Sequence, residues 1–290
     1  MPWFKYACVV PLAVVFLALV AFPVAQLVWM SLGDVRLTAG HLLWSPAGLD
    51  NYARMLQDGH FATALWNSVV FIVSTVVLTV VLGVALALLA DRTVRGQKLA
   101  QNVLIWPAVI APVVISVIWL LVLSPQIGLL NKVLDSLGLP AQTWLGEPFG
   151  AMASIVLVDV WHWTPVVFLF VYTALRGLDD SVLEAASVDG AGYFASLRHI
   201  VLPLLRPAIL GVAAIRLVMG VKAFDEMYLL TFGGPGDATT VITIYLRSVF
   251  FESFQYGYGS ALSVTVVLLV VAVLALALLF QRLLRRSSRG

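Results

Sequence analysis

Six runs of mostly apolar residues constrain the fold of this chain more than any other feature of its sequence. Each run has about 20 residues or more, the length that an α-helix needs to cross the hydrocarbon core of a bilayer. The runs cover residues 8–30, 64–90, 103–123, 151–172, 207–230 and 260–280. Long runs rich in Leu, Val and Ala favour helices over the short alternating segments of a membrane barrel. We therefore predict an all-α integral membrane protein with six transmembrane helices.

The composition extends this prediction to the whole chain. Of its 290 residues, 61% are hydrophobic and 11% are charged, whereas about a quarter of the residues of soluble domains are charged. A single transmembrane domain over residues 1–290 is expected. The first run has a longer apolar stretch than a signal peptide, so we interpret it as a retained helix. Cys8 is the single cysteine, and the histidines lack ligand spacing, so no metal site is expected.

The distribution of Lys and Arg predicts the orientation in the membrane. Six spans place both termini on one side, together with residues 91–102 and 173–206. That side has eleven Lys and Arg residues, which are Lys5, Arg92, Arg95, Lys98, Arg176, Arg198, Arg206, Arg282, Arg285, Arg286 and Arg289. The opposite side has four, which are Arg36, Arg54, Lys132 and Arg247. Cytoplasmic loops carry the excess of positive charge, so both termini and the 173–206 segment are predicted to be cytoplasmic.

The 173–206 segment, which we call the Glu184 loop, has its own helix signals. Asp180 or Ser181 is predicted to cap a short helix, and Ser181 with Glu184 fits a capping box in which the Glu reaches back to the cap amide. Gly190 follows Asp189 and is predicted to end this helix in the left-handed conformation. A second short helix is expected over about 193–200, ending ahead of Pro203. A simple connector needs no such organisation, so the loop is predicted to face a soluble partner.

The Glu184 loop resembles the EAA motif of binding-protein-dependent ABC importer permeases. The matching residues are Glu184, Ala185, Ala186, Asp189, Gly190, Ala191, Ile200, Leu202 and Pro203. The resemblance extends to most of the chain through GLDNY, Asn67-Ser68, Arg95-Gly96, GLLN at 128–131, Asp159-x-Trp161, Phe224-Asp225, TFGGP and GYGSA. Tyr193 stands where the family pattern would have Trp. The outlying matches are similar to the carbohydrate-uptake branch of the family and to its maltose-type first permease.

The resemblance implies a type I ABC importer permease fold and a specific set of partners. The loop from Glu184 to Pro203 would form the coupling helix that docks on ATPase subunits. The residues assigned to docking are Glu184, Ala185, Ala186, Asp189, Gly190 and Ala191. The implied partners are a second homologous permease, two ABC ATPases, an extracytoplasmic solute-binding protein and the bilayer, with no nucleic acid. The chain would form half of the pathway for a sugar or sugar-like solute in a bacterial or archaeal inner membrane, by alternating access.

The energy source is expected to lie outside this chain. The sequence contains no G-x-x-x-x-G-K-[ST] phosphate loop, the motif whose backbone amides hold nucleotide phosphates. We therefore expect a transport subunit, not an enzyme, with no catalytic residues and no cofactor of its own. ATP and Mg would be bound by the partner ATPases.

Ionisable residues within the apolar runs are candidates for the substrate pathway, because charge inside a membrane is costly. Helical spacing places Lys222 near Glu226 and Asp225 on one helix, as a local ion-pair cluster. Arg216 needs a partner on another helix, and Asp159 is the carboxylate that another span offers. These residues either lock helices together or line the pathway, and the sequence leaves both roles open.

Two further groups are candidate contacts with the solute or with the binding protein. Trp161 and Trp163 lie mid-span, where aromatic faces could stack on sugar rings, although Trp also anchors helices at membrane interfaces. His162 is interpreted as a hydrogen-bonded packing residue. The turn at Gly233, Gly234 and Pro235 faces outward by the predicted topology and would meet the binding protein.

An autonomous ion-coupled secondary transporter is the alternative function. It would use Asp159, Asp225 and Glu226 to bind the coupling ion, and it would need no ATPase. Six helices with no visible internal repeat fit half of a shared pathway better than a complete carrier.

Overall fold

The structure is a computed structural model that describes residues 2–38, 40–92 and 104–287. Its helices are α1 (Pro2–Ser31), α2 (Asp50–Gln57), α3 (Gly59–Arg92), α4 (Pro112–Val122), α5 (Leu129–Ser136), α6 (Pro148–Arg176), α7 (Asp180–Val188), α8 (Tyr193–Ser196), α9 (Leu202–Val221), α10 (Asp225–Thr231), α11 (Ile242–Arg247) and α12 (Tyr256–Ser287). Residues 104–109 are also helical. Leu197–Val201 and Ser248–Glu252 are π-helical turns.

Five helical stretches in the described part of the chain are long and apolar enough to cross a membrane. They are Val9–Ser31, Gly59–Asp91, Pro148–Arg176, Tyr193–Val221 and Tyr256–Ala275. Each overlaps one of the predicted spans. The predicted third span is represented by a helix at 104–109 and by α4, which is too short to cross a bilayer alone.

The third span is broken, and two prolines account for the break. Helix 104–109 contains Pro107, and the chain leaves helical geometry at Ile110 and Ala111 before Pro112 opens α4. Pro lacks the N–H that would continue the ladder, and it disfavours helical geometry in the residue before it. Two prolines in one span are therefore enough to predict a kinked or partly unwound helix, and the structure has one. Residue 103 and most of the link at 91–102, including Arg95 and Gly96, lie outside the described residues.

Helices make up most of the described chain, and the segment after α1 combines a two-stranded hairpin with the short helix α2. Strands β1 (Gly33–Thr38) and β2 (His41–Pro46) form an antiparallel hairpin, in which Val35 lies opposite Trp44 and Leu37 opposite Leu42. The alternation of apolar and polar residues in DVRL has a period of two, which suits a strand. The hairpin rests on the start of α12, because a Cβ on Gly257 would lie 2.1 Å from the Gly33 carbonyl oxygen.

The chain divides into two compact units. One runs from the N-terminus to Ala62 and from Tyr245 onward, and the other is Thr63–Ile244. In the first unit the GLDNY residues tie α1 to α2. Asn51 Nδ2 donates to the carbonyls of Ser31 and Gly33, both at 3.0 Å, and the Tyr52 hydroxyl donates to Ser31 Oγ at 2.8 Å.

Asp58 organises the corner between α2 and α3 in the same unit. Its carboxylate accepts hydrogen bonds from the backbone amides of His60 and Phe61 and from the hydroxyls of Tyr245 and Tyr258. Burial raises the pKa of Asp58, but these hydrogen bonds stabilise the carboxylate more, so its pKa lies below the usual value. The charged Asp58 therefore caps the N-terminus of α3.

The second unit contains two apolar clusters. Phe71, Ile115, Ile155 and Met227 belong to the first, which joins α3, α4, α6 and α10. The second joins α3, α6 and α9, and its members are Ala87, Val167, Phe168, Val171, Leu175, Val201, Leu205 and Val212. The helix α6 contributes to both clusters and is therefore the central helix of this unit.

Candidate functional site

The first helix of the Glu184 loop begins one residue earlier than predicted. Asp179 is the N-cap of α7, and its Oδ1 accepts a hydrogen bond from the Ser181 amide at 3.0 Å. Hydrogen bonding to Ser181 holds the pKa of Asp179 below its usual value. The predicted cap at Asp180 or Ser181 is therefore wrong, and so is the capping box. Glu184 is the fifth residue of the helix, too far along to reach the cap amide, and it is exposed.

Gly190 ends α7 as predicted. Its φ is +78°, in the left-handed region that favours glycine. The Gly190 amide donates to the Ser187 carbonyl at 3.1 Å, and the Ala191 amide donates to the Ala186 carbonyl at 2.9 Å. These two bonds form a Schellman motif, which satisfies carbonyls at the helix end. The chain therefore turns sharply at a fixed point between α7 and α8.

The surface of the Glu184 loop combines small residues with exposed apolar side chains. Among the residues assigned to docking, Glu184, Ala185, Asp189 and Gly190 are exposed, Ala191 is half-buried and Ala186 is buried. Val188 is 87% exposed and Phe194 is 81% exposed. The motif did not single out these two residues. The sequence did contain a signal for these two residues, which are apolar and flank a Gly turn in a polar loop. A loop that contacts only water seldom exposes such side chains.

The second helix of the loop continues into the fifth span, contrary to the prediction that it would end ahead of Pro203. Helical geometry runs from Tyr193 to Val221 over 29 residues. A π-helical turn at Leu197–Val201 stands directly before Pro203, and the Leu202 amide donates to the Leu197 carbonyl. The wider turn accommodates Pro203, whose ring and missing N–H disturb a regular α-helical ladder. The loop is thus continuous with a membrane-spanning helix.

Arg216 and Asp159 form a buried ion pair between α9 and α6. Arg216 Nη2 donates to Asp159 Oδ1, and the side chains are 1% and 3% exposed. Arg216 Nε also lies 3.5 Å from Thr79 Oγ1 on α3, and the guanidinium lies over the Trp163 ring at 5.6 Å. The predicted partnership of Arg216 with another helix is confirmed. Asp159 is engaged in locking helices and is turned away from any open space.

His162 and Glu226 form a second buried pair. His162 Nδ1 lies 3.1 Å from Glu226 Oε1 on α10, and His162 Nε2 lies 3.2 Å from the Ile110 carbonyl. The predicted cluster of Lys222 with Glu226 is wrong, because α9 ends at Val221 and the helical spacing does not continue through residues 222–224. Glu226 points inward, whereas Lys222 and Asp225 are exposed and have no ion-pair partner in the described ranges.

The contacts of His162 determine how many protons it shares with Glu226. The Ile110 carbonyl can only accept a hydrogen bond, so Nε2 donates to it. Nδ1 faces a carboxyl oxygen, and an attractive contact needs a proton between the two atoms, whichever of them holds it. The His162–Glu226 pair then has no net charge, which lowers the cost of its burial. His162 is a hydrogen-bonded packing residue, as interpreted from the sequence, and it connects both interrupted spans.

The two tryptophans have different surroundings. Trp163 stacks on His162 with ring centroids 4.5 Å apart and belongs to the buried pairs. Trp161 is 40% exposed and meets Trp119 edge-on at 5.6 Å. Both Trp161 and Trp119 line a cavity of about 1000 Å³ among α3, α4 and α6. Ser74 and Thr164 supply hydroxyls to a lining that is otherwise apolar.

The turn at Gly233, Gly234 and Pro235 is pinned by the Asn67-Ser68 motif. Asn67 Nδ2 donates to the carbonyls of Asp237 and Thr240, at 2.7 and 3.1 Å. Ser68 Oγ accepts from the Ile242 amide at 2.9 Å. Gly233 is buried and Gly234 and Pro235 are half-buried, so Gly236 and Asp237 are the exposed residues of the turn.

Comparison with known proteins identifies close similarities over most of the chain. Residues 79–290 match the family described as binding-protein-dependent transport system inner membrane component. The trehalose/maltose transport system permease protein of Thermococcus litoralis is 33% identical, over 89% of this chain and 87% of its own. The sulfoquinovosyl glycerol transport system permease protein of Agrobacterium fabrum is 32% identical, over 88% and 83%.

The fold also matches a solved structure, a bacterial ABC transporter involved in the import of the acidic polysaccharide alginate. One of its chains superposes with a TM-score of 0.84 at 22% identity, covering 97% of this chain and 95% of that one. The match confirms the predicted permease fold, in which five described spans and an interrupted one correspond to the six that were expected.

The buried Arg216–Asp159 pair predicts a specific pattern of stability. Arg216→Leu leaves Asp159 buried without a partner, which costs about 3–5 kcal/mol. Asp159→Leu combined with Arg216→Leu removes both charges and is expected to recover most of that loss. The measurement is the unfolding temperature of the purified chain in detergent, with the exposed Lys222→Leu as a control of small effect. A double variant as unstable as the single one would contradict a pairing role.

Proposed function

Because this chain belongs to the family of binding-protein-dependent transport system inner membrane components, we propose that it forms half of the translocation pathway of an ATP-driven importer. It is a multi-pass inner-membrane protein and a transport subunit, not an enzyme. The proposed cargo is a sugar or a sugar-like solute. The relatives named for trehalose, maltose and sulfoquinovosyl glycerol support this substrate class.

The observation that carries the proposal is the continuity between the Glu184 loop and the fifth span. An exposed patch at Val188 and Phe194 stands at one end of a helical stretch, Tyr193–Val221, that holds Arg216 near its other end. A force applied to the loop would therefore reach the Arg216–Asp159 pair through a helix rather than a flexible linker. This geometry suits a subunit that is driven by a partner.

The proposed importer contains this chain together with several partner subunits. The sequence has no phosphate loop of its own, so two separate ABC ATPases would bind ATP and Mg. They would dock on the Glu184 loop. A second homologous permease would supply the other half of the pathway. The excess of Lys and Arg in the loops on the side of the termini supports a cytoplasmic position for both termini and for the Glu184 loop.

A solute-binding protein would deliver the cargo on the outer side. A solved alginate transporter structure includes a periplasmic protein bound to an alginate pentasaccharide, which supports this mode of delivery. The candidate surface for contact with the binding protein is the turn after α10 that Asn67 and Ser68 hold in place. Gly236 and Asp237 are exposed there and would make most of the contact, whereas Gly233 is buried. Closure of the ATPases would then shift the pathway between outward-open and inward-open states.

The contacts of the candidate residues favour a smaller set of solute contacts than the sequence offered. Asp159 and Glu226 are each occupied by a buried partner, and Trp163 packs between the pairs. Trp161 lines the cavity with its ring half exposed, and Lys222 and Asp225 are exposed beside the break in the fifth span. We therefore assign Trp161, Lys222 and Asp225 to the pathway. Asp159, Trp163 and Glu226 are assigned a structural role, in which they hold the helices together.

The ion-coupled carrier receives no support. Its proposed coupling sites included Asp159 and Glu226, which hold Arg216 and His162 in place. Membership in the family of binding-protein-dependent systems favours a subunit that depends on partners.

Gly190→Val tests the coupling role. A β-branched residue is strongly disfavoured at a φ of +78°, so the sharp turn and the docking surface should be lost. We expect uptake of maltose or trehalose by the reconstituted importer to fall at least tenfold, while the amount of inserted chain stays unchanged. Uptake and ATP hydrolysis are measured on the same vesicles.

Gly192→Ala is the matched control, because Gly192 has a φ of −68° and open space around its Cβ position. It should transport as the parent does. Normal uptake and normal ATP hydrolysis by the Gly190→Val importer would refute the docking assignment.

Trp161→Ala tests the substrate pathway. Aromatic contacts contribute about 0.5–1.5 kcal/mol, so the uptake rate at saturating binding protein should fall about two- to tenfold. Trp161→Phe keeps an aromatic face and should retain most of the rate. Equal rates for the Ala variant and the parent would remove Trp161 from the pathway.

A further inference from the structure

The hairpin β1–β2 has an apolar face whose outer part is uncovered. The register places Val35, Leu37, Leu42 and Trp44 on one face, and Asp34, Arg36, Leu43 and Ser45 on the other. At the base of the apolar face Val35 is 3% exposed, whereas Leu37 and Leu42 near the tip are 50% and 53% exposed. The polar face carries an ion pair, with Arg36 Nη2 and Asp34 Oδ2 2.8 Å apart.

The apolar face is continuous with the exposed apolar surface of a candidate membrane span. Val9–Ser31 of α1 is a candidate span, and none of its apolar window is buried inside the protein. The hairpin starts at Gly33, just after this span ends. Trp44 of the apolar face stacks on Trp29 of α1 with ring centroids 4.7 Å apart, and its Nε1 donates to the Trp29 carbonyl at 3.3 Å. Tryptophan is enriched at the membrane–water interface, which places this stack at the boundary of the bilayer.

The backbone of the hairpin limits how deep it can lie. A two-stranded hairpin has unpaired N–H and C=O groups along both outer edges. The hydrocarbon core offers these groups no partners, so an open edge cannot enter it. The headgroup region provides both water and apolar contact, which suits a surface that is apolar on one face and charged on the other.

We propose that the hairpin is a membrane-interface anchor, with Leu37 and Leu42 inserted at the headgroup–acyl boundary of the outer leaflet and Arg36 and Asp34 facing water. Such an anchor would fix the outer end of α1 in depth and rotation. The proposal concerns a lipid surface and does not depend on the identity of the transported solute.

Spin labelling of the full-length chain tests the proposal. In a Cys8→Ala background, single cysteines replace Leu42, Leu37 or Arg36 and are labelled in vesicles of phosphatidylethanolamine and phosphatidylglycerol. Power saturation compares collisions of each label with oxygen, which concentrates in lipid, and with a water-soluble nickel chelate. Arg36→Cys is the matched control, because it is adjacent to Leu37 on the same strand but on the opposite face.

The expected result is a positive depth parameter for Leu42→Cys and Leu37→Cys and a negative one for Arg36→Cys. The two leucine sites are exposed, so either variant serves if the other is poorly expressed. Equal nickel accessibility at all three sites would overturn the proposal in favour of a hairpin that stands in water. Protection of the leucine sites from both reagents would overturn it in favour of a protein that covers this face.

Discussion

The need to neutralise charge inside a membrane shapes the second unit of this protein. Arg216 and Asp159 are buried together, and so are His162 and Glu226. An unpaired member of either pair would have to lose its hydration without compensation, which is among the largest penalties in protein folding. Each pair therefore fixes the relative positions of the helices that carry it. Because α6 contributes one residue to each pair, it is the helix against which the others are held.

Polar side chains also explain how two interrupted spans can persist in a bilayer. Breaks at 110–111 and 222–224 free backbone groups that lipid cannot satisfy. His162 donates to the Ile110 carbonyl at the first break, and the Thr243 hydroxyl donates to the Ala223 carbonyl at the second, at 2.7 Å. An interrupted helix at membrane depth is tolerated where protein satisfies its backbone groups, and here a different side chain does so at each break. Lys222 and Asp225, beside the second break, are exposed.

Much of this arrangement could be predicted from single residues. Gly190 after an Asp predicted the left-handed turn, and Pro107 with Pro112 predicted the interruption of the third span. Arg216 predicted an interhelical carboxylate because a lone intramembrane Arg is too costly. These predictions succeeded because each depends on a local conformational limit or on a strong energetic penalty. The motif residues Asn51, Asn67 and Asn131 proved to be side-chain clamps on loop carbonyls.

Other features depend on contacts that a sequence does not display. Lys222 and Glu226 have helical spacing in the sequence. In the structure the helix ends at Val221, and Glu226 turns inward to pair with His162 on α6. The π-helical turn before Pro203 allows one helix to run where two were expected. The hairpin was missed because its alternation is short and lies between two longer apolar runs. Tertiary contact overrode the helical spacing at Lys222 and Glu226, whereas the hairpin follows a local alternation that is short.

We propose that the Tyr193–Val221 stretch transmits force stiffly from the Glu184 loop to the buried pairs. Leu202→Gly with Leu204→Gly softens this helix just after the π-helical turn, by about 1 kcal/mol for each site relative to alanine. Leu202→Ala with Leu204→Ala removes the same side chains and keeps the helix stiff. The decisive measurement is solute imported per ATP hydrolysed in the reconstituted importer. We predict that the alanine pair keeps this ratio and that the glycine pair loses most of it while still hydrolysing ATP. Equal ratios for the two variants would contradict the claim.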